Sequence, residues 1–443
     1  MSSLRPASAP SGAGSSTVVQ PPSPGAHAWV VLGMLIFVYV LNFLCRTLPA
    51  VLAKPIQDTL HITDGQFGLI TGFYFAIFYT LISIPIGFLA DKTSRSKVLA
   101  VACAIWSAAT MTCGLAVNFV QFAVSYMAVG FGEAGGVPPS YALISDYFPP
   151  GKRGTALGLY NLGLPIGAAF AIAFGAAIAS AFSWEMAFRG LGAIGLIAVI
   201  GILVIVKEPK RGGLDGPSAQ QVKKSGFWET LTSFFSRRVL VLAALGGGVT
   251  QMITYGVGNF AILFLMREKG MSLEQVAVWY ALMVLIVMSA GLFLAGRSVD
   301  VFTKRSKRAY GLVGAASLSI SLPFYIGFVW SSGWIYAMLF LSACMFLNFF
   351  YLPAIITLVQ QEVRPDQRGM SGALLLLVTN FVGLGLGPTF IGAISDYFRA
   401  ANPLHSLQYA FTALLPCYVL AIVLFFWLSR VLKKESRKVE GAA

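Results

Sequence analysis

The sequence predicts an all-α integral membrane protein of twelve transmembrane helices, arranged as two pseudo-symmetric six-helix bundles. Three observations carry that prediction. Only 11% of the 443 residues are charged while 57% are hydrophobic, whereas a soluble domain is about 25% charged. Apolar runs of about 20 residues, the length that crosses a bilayer, recur twelve times. The basic residues gather in alternate loops, which is how membrane orientation is written. So few charges cannot wet a globule of this size, so the lipid bilayer is the first expected partner. The 46 glycines and 34 phenylalanines suit closely packed helices with lipid-facing surfaces.

In chain order the spans are expected at 28–53, 66–90, 97–117, 120–146, 153–181, 186–207, 238–266, 272–297, 308–331, 334–363, 367–395 and 407–432. Residues 1–26 are rich in Ser, Pro, Gly and Ala and are expected to be a disordered cytoplasmic tail. They lack the charged start, apolar core and cleavage site of a signal peptide. A polar linker at 208–237 divides an N-terminal bundle, 27–207, from a C-terminal bundle, 238–432. Residues 433–443 form a second tail.

The net charge of +14 is a topology signal and not a nucleic-acid footprint. With both termini in the cytoplasm, all 31 lysines and arginines except Lys54, Arg189, Arg267, Lys269, Arg399 and the intramembrane Arg46 fall on the cytoplasmic side. A multi-pass protein of a cell inner membrane, acting as a monomer, is expected. The five cysteines lie inside apolar runs at irregular spacing, and the three histidines lie outside the spans. Neither a disulfide framework nor a metal site is indicated, and no cofactor is implied. There is no phosphate-binding Gly-x4-Gly-Lys-Ser/Thr loop. No paired acids, His cluster or Ser-Lys arrangement at depth suggests an enzyme.

The halves repeat each other. Gly87-Phe-Leu-Ala-Asp91-Lys-Thr-Ser-Arg95-Ser-Lys97 follows the second span, and Gly296-Arg-Ser-Val-Asp300 with Lys304, Arg305 and Lys307 follows the eighth. Asp146 precedes Arg153-Gly154 after the fourth span, and Glu362 precedes Arg368-Gly369 after the tenth. Two parallel six-helix repeats are the build of transporters that bind substrate at mid-membrane between them.

The Gly87–Lys97 loop resembles the signature loop of the major facilitator superfamily. Trp106-Ser107, Gly130-x-Gly132-Glu133-Ala134, Ser145-Asp146-Tyr147-Phe148-Pro149 and Gly383-x-Gly385-x-Gly387-Pro388 are together similar to its Spinster branch. That branch includes bacterial members and animal lysosomal and sphingolipid or lysophospholipid transporters. The resemblance implies the major facilitator fold and a cytoplasmic gate. In that gate Gly87, Asp91, Arg95, Asp146 and Arg153 clasp the halves when the transporter is outward-open. Asp91 favours a facing helix N-terminus, and Arg95 pairs with Asp146. Two positions depart from the branch: Cys45-Arg46 stands where it carries Asp-Arg, and Tyr126 stands where it carries arginine.

Candidate transport residues follow from polarity at depth. Arg46 is costly in an apolar segment, by about 2.5–3.5 kcal/mol on insertion scales. Asn42 lies four residues before it, on the same helix face, and Pro49 after it is expected to open the helix locally. Arg46 then faces a central cavity, or alternatively snorkels to the outer headgroups. Glu133 lies mid-span among Gly130, Gly132, Gly135 and Gly136. It is read as the proton-coupling acid, or alternatively as a structural ion-pair partner of Arg46. Tyr255 and Asn259 share a face of the seventh span. Asn348, Tyr351 and Asn380 add polar groups to the tenth and eleventh, either orienting a substrate or tying helices together.

These features together imply secondary active transport by alternating access, with protons as the coupling ion and a lipid-like or small organic solute as substrate. An organic-anion symporter, favoured by Arg46, and a transport-inactive membrane sensor remain as alternatives.

Overall fold

The computed structural model describes residues 25–209, 226–303, 306–364 and 367–440. Nearly all of the expected N-terminal tail, the middle of the linker and the last three residues lie outside them. Eleven helices among the described residues are long and apolar enough to cross a membrane: Ala26–Val51, Asp64–Ala90, Arg95–Cys113, Gly151–Ala181, Trp184–Ile205, Arg238–Arg267, Leu273–Thr303, Ala309–Trp330, Trp334–Glu362, Arg368–Arg399 and Ser406–Glu435. They are spans one to three and five to twelve of the expected set, with ends within a few residues.

Span four is present but broken. Helices Phe119–Glu133 and Val137–Tyr147 flank a turn at residues 134–136. The cause is local. Gly135 and Gly136 resist helix, and Pro138 and Pro139 cannot donate the hydrogen bonds that would carry the helix through. Glu133 is thus the last residue before the break, not the middle of a continuous helix. Span ten repeats the device: helices Trp334–Asn348 and Tyr351–Glu362 are separated by residues 349–350, with Pro353 just beyond.

Other departures are small. Span one runs unbroken through Pro49 to Val51, although the proline removes one N–H from the ladder, so the expected local opening is not seen. The chain turns at Leu52 into the short helix Ala53–Leu60. The linker ends in a helix, Phe227–Ser236, whose Thr230 and Phe234 are buried against spans seven and eleven. The final helix continues to Glu440, into the expected tail. Spans two, eight and eleven each contain a wider π-helical stretch, at Ile70–Tyr74, Val276–Tyr280 and Phe381–Leu386.

Among the first six spans, one packs on five and six, and three packs on four and six. Among the last six, seven packs on eleven and twelve, and nine on ten and twelve. The two groups meet where span two packs on eleven, five on eight, and one on seven. Two faces follow, named here by Arg95 at the start of span three and Asp64 at the start of span two.

The seam between spans two and eleven is built from glycine. A Cβ on Gly72 would lie 2.8 Å from Thr389 Oγ1 and 2.9 Å from Gly385 O. Thr389 Oγ1 accepts from Phe73 N at 3.2 Å and donates to Gly385 O at 2.8 Å. Gly87, at the Arg95 end of span two, has nothing within 4 Å of its own Cβ position. The helices touch backbone to backbone towards the Asp64 face, while the motif glycine at the other end faces open space. A Gly72→Val substitution overpacks this seam, at a cost of about 1–3 kcal/mol. Alkylation of a cysteine placed at the buried Ile62 should then quicken roughly tenfold or more. An unchanged rate would show that the seam does not close the Asp64 face.

Candidate functional site

Spans one and four meet at Arg46 and Glu133. The glycines around Glu133 set its direction. A Cβ on Gly130 would press on Phe75 of span two at 3.0–3.1 Å, and one on Gly135 on Ala102 of span three at 2.6 Å. With span four drawn against two and three, Glu133 turns toward span one. Its Oε2 accepts from Arg46 Nε at 2.8 Å and lies 2.7 Å from Arg46 Nη2. The Glu133 side chain is fully enclosed, and that of Arg46 is 12% exposed. Arg46 therefore turns inward and does not snorkel.

Aromatic rings enclose the guanidinium. Its Cζ lies 5.2 Å from the Phe43 and Phe75 ring centres and 4.4 Å from that of Tyr79. This cation–π cage stabilises the charge where it is shielded from bulk water. Tyr255 of span seven reaches Arg46 from the other six spans. Tyr126, the residue at the family's arginine position, donates its hydroxyl to Arg46 O at 3.0 Å.

Arg46 forms the charged wall of a cavity of about 170 Å³. Phe43, Thr47, Thr71, Phe75 and Tyr126 line it from the first six spans, and Thr254, Tyr255, Asn259, Tyr280 and Phe349 from the last six. The lining is chiefly aromatic and aliphatic, with a few hydroxyls and one amide: the pattern of a site that gains affinity from apolar contact and selectivity from few polar groups.

Of the residues singled out by sequence, Arg46, Tyr255 and Asn259 line this cavity. Asn42 and Glu133 are buried behind it. Asn348 opens only on a side recess, and its amide bonds Ser321 and Tyr418 at 3.0 and 3.1 Å. Tyr351 is buried against Phe425. Tyr351 and Asn380 are absent from the cavity wall. The four-residue spacing that fits span seven does not transfer to span ten, because Asn348 and Tyr351 face spans nine and twelve of their own bundle. Asn348 is nonetheless the positional counterpart of Glu133: each is the last residue before the break in its span. Sequence reasoning missed Phe43, Thr71, Thr254 and Tyr280, which carry no signal among so many similar residues.

The two faces differ in their polar contacts. At the Asp64 face a network crosses between the groups of six. Asp64, 0% exposed, accepts from Arg267 Nη1 and Nη2 at 2.7 and 2.9 Å, from Ser395 Oγ at 2.7 Å and from Gln57 Nε2 at 2.8 Å. Asp396 of span eleven accepts from the backbone of Asp64 and Gly65 at 3.1 and 2.9 Å, capping the N-terminus of span two. None of these residues was singled out by sequence. One signal existed: Ile-Ser-Asp-Tyr-Phe occurs at both 144–148 and 394–398.

At the Arg95 face the following contacts among the described residues run inside each group. Arg95 pairs with Asp146, Arg153 Nε donates to Phe148 O at 2.9 Å, and Glu208 accepts from Ser94 Oγ at 2.7 Å. In the second group Lys307 pairs with Glu362 at 3.3 Å, repeating the Arg95–Asp146 contact, and Arg364 pairs with Glu229 at 2.5 Å. Arg95, Asp146 and Arg153, expected in the gate, thus make these contacts within the first six spans. The Asp91 side chain lies outside what is described.

Removing one partner of a buried ion pair strands the other, at about 3–5 kcal/mol. Arg46→Ala should therefore lower the thermal stability of the purified protein sharply. Adding Glu133→Gln should restore much of the loss. Equal stability of the single and double variants would show that the two side chains are not energetically coupled.

The family model described as Major Facilitator Superfamily matches residues 35–383. An MFS-type efflux pump of Mycolicibacterium smegmatis is 28% identical over 403 residues, covering 91% of this chain and 92% of the relative. Protein spinster homolog 1 of Xenopus tropicalis is 22% identical over 442 residues, covering 94% and 83%. The crystal structure of a bacterial homologue of the human lysosomal transporter Spinster, inward-facing and unoccupied, superimposes with a TM-score of 0.85 at 28% identity, covering 92% of this chain and 98% of that one. The chain belongs to the Major Facilitator Superfamily, as a membrane transporter of its Spinster branch and not an enzyme.

Proposed function

We propose that this protein is a proton-coupled secondary transporter working by alternating access, and that it moves an amphipathic, lipid-like or small organic anion. The observation that carries this reading is the contrast between its faces. The two six-span groups are latched through Asp64, Arg267 and Asp396, whereas the Arg95–Asp146 and Lys307–Glu362 ion pairs of the Arg95 face each lie within one group. Between the faces lies a charged pair beside an apolar cavity. The distribution of lysine and arginine supports an inner-membrane orientation with both termini and the Arg95 face in the cytoplasm. In that orientation this state opens inward, as does the bacterial Spinster homologue it resembles. Domain limits at 27–207 and 238–432, and action as a monomer, belong to the same reading.

The coupling has a simple physical basis. Arg46 holds Glu133, and an anionic substrate entering the cavity competes for the same guanidinium. Protonation of Glu133 weakens its hold on Arg46 and frees it for the anion. Proton binding and anion binding therefore reinforce each other, and this reciprocity is the thermodynamic content of coupling. The aromatic and aliphatic lining favours a substrate whose charged head is attached to an apolar body. A compact carboxylate is the second reading, supported by Arg46 alone.

Two measurements test these statements. In proteoliposomes under an imposed pH gradient, Glu133→Gln should abolish gradient-driven accumulation yet keep equilibrium exchange. Unchanged accumulation would remove Glu133 as the coupling acid. Thermal-shift screening against lysolipids, sphingoid bases and organic acids should show stabilisation by acidic lysolipids, because a ligand bound to the folded state raises the melting temperature. The shift should vanish in Arg46→Ala. Stabilisation by organic acids alone would favour the carboxylate reading, and by sphingoid bases alone would overturn the anion assignment.

A further inference from the structure

Glu133 uses one carboxylate oxygen for Arg46. The other, Oε1, is buried with no hydrogen-bond partner among the described residues. The same holds for Asn42 Nδ2 and Trp106 Nε1. Glu133, Asn42 and Trp106 are 1%, 2% and 0% exposed. A buried polar atom left without a partner costs about 1–3 kcal/mol, and the Asn42 and Glu133 atoms, both beside the Arg46 pair, call for a common explanation.

The break in span four brings them together. Asn42 lies one helical turn before Arg46 on the same face of span one. A Cβ on Gly136, the last residue of the break, would lie 3.6 Å from Asn42 Nδ2 and 3.6 Å from Trp106 Cζ3. Gly136 has no such atom, so room remains between spans one, three and four beside Glu133. This space is distinct from the transport cavity, whose wall includes Arg46 but neither Asn42, Glu133 nor Trp106. It lies on the Arg95 side of the ion pair, because span one runs away from that face and span four toward it. One turn further, Ser140 Oγ donates to Gly136 O at 2.7 Å.

The chemistry of the space selects its occupant. The Asn42 amide N–H donates, which rejects a metal cation, and the carbon edge of the Trp106 ring borders the space. A carboxylate oxygen accepts, which rejects an anion. A small neutral molecule that both accepts and donates satisfies both, and a water needs two to four such partners. We propose that the break in span four holds a buried water bridging Asn42 Nδ2 and Glu133 Oε1, and that this water delivers the coupling proton along a path separate from the substrate's. The water is read from the orphaned atoms, and its delivery role rests on the proton-coupling reading above. An excess proton reaching this water passes to Oε1. One water O–H bond breaks, the carboxyl O–H forms, the carboxylate becomes neutral and a water remains. Arg46 is released on the cavity side while the proton arrives from behind.

Radiolytic hydroxyl footprinting tests the water directly, since buried side chains next to bound water are oxidised while dry ones are not. Trp106 should be oxidised in the native protein despite its burial, with the exposed Trp228 as internal control. Asn42→Leu should reduce that oxidation several-fold. It should also slow pH-driven accumulation several-fold and leave substrate exchange near the native rate. If Asn42→Leu fails to assemble, Gly136→Ala, whose methyl enters the same space, serves as the second variant with the same expectation. Native Trp106 that stays unoxidised while Trp228 reacts would overturn the water. Oxidised Trp106 with unimpaired accumulation in either variant would overturn the delivery role, even where Glu133→Gln abolishes accumulation and the coupling reading stands. Accumulation that survives Glu133→Gln would overturn the coupling reading and the delivery role together, while the footprint still decides the water.

Discussion

A charge inside a bilayer has to be paired, and the architecture of this protein follows from how few charges it places there and where their partners lie. Arg46 meets Glu133 across spans one and four. Arg267 meets Asp64 across the two groups of six. Arg95 meets Asp146 within one group. An isolated charge at the depth of Arg46 and Glu133 costs several kcal/mol, so that pair resists separation unless another charge or a proton replaces the partner, while the other two pairs sit at span ends. A ligand in the cavity meets the first of these pairs through Arg46, which lines the wall, and not through Glu133, which lies behind it.

The two faces use different materials for the same purpose. The Asp64 face is closed by polar contacts with directional geometry, resting on a glycine seam that lets backbones touch. Glycine removes the side-chain layer, so a small rotation there separates many contacts at once. At the Arg95 face the Arg95–Asp146, Lys307–Glu362 and Arg364–Glu229 pairs each tie helices of one bundle together, which stiffens it. Stiff units joined along a thin seam tend to tilt as bodies rather than deform, because packed interiors do not yield continuously. The π-helical stretches lie in spans two, eight and eleven, where the two groups meet. Such stretches commonly mark functional positions in helices.

Much of the fold was legible because its signals are local. Span length, loop charge and the repeated Gly87–Lys97 pattern each occupy a few tens of residues. The break in span four was also written locally, in Gly135-Gly136-Val137-Pro138-Pro139, although a run of apolar residues hides it from a count based on hydropathy. Arg46, Glu133 and Tyr255 stood out because charge and spacing mark them. The latch was not legible: Asp64 and Arg267 are 203 residues apart, and Asp64 and Asp396 are 332 apart. Each sits near a span end, where a charge is ordinary. Asn380 and Tyr351 misled for the converse reason. A polar residue at depth is noticeable in sequence, but only packing decides whether it meets the cavity or a neighbouring helix.

The two family positions that differ acquire a consistent meaning around Glu133. Replacing an acid by Cys45 and a base by Tyr126 removes one negative and one positive charge, so the cluster stays neutral as a pair. Tyr126 keeps a tie between spans four and one by bonding Arg46 O, which needs no charge. Cys45 is buried at 2% exposure and fills space as a small hydrophobe would. What remains is one acid held by one base, with the base exposed to substrate on one side and the acid enclosed on the other. On the proposed reading, a coupling scheme built on this cluster has one proton to work with. Its stoichiometry is then limited by composition rather than by rate, because no second carboxylate shares Arg46 among the described residues.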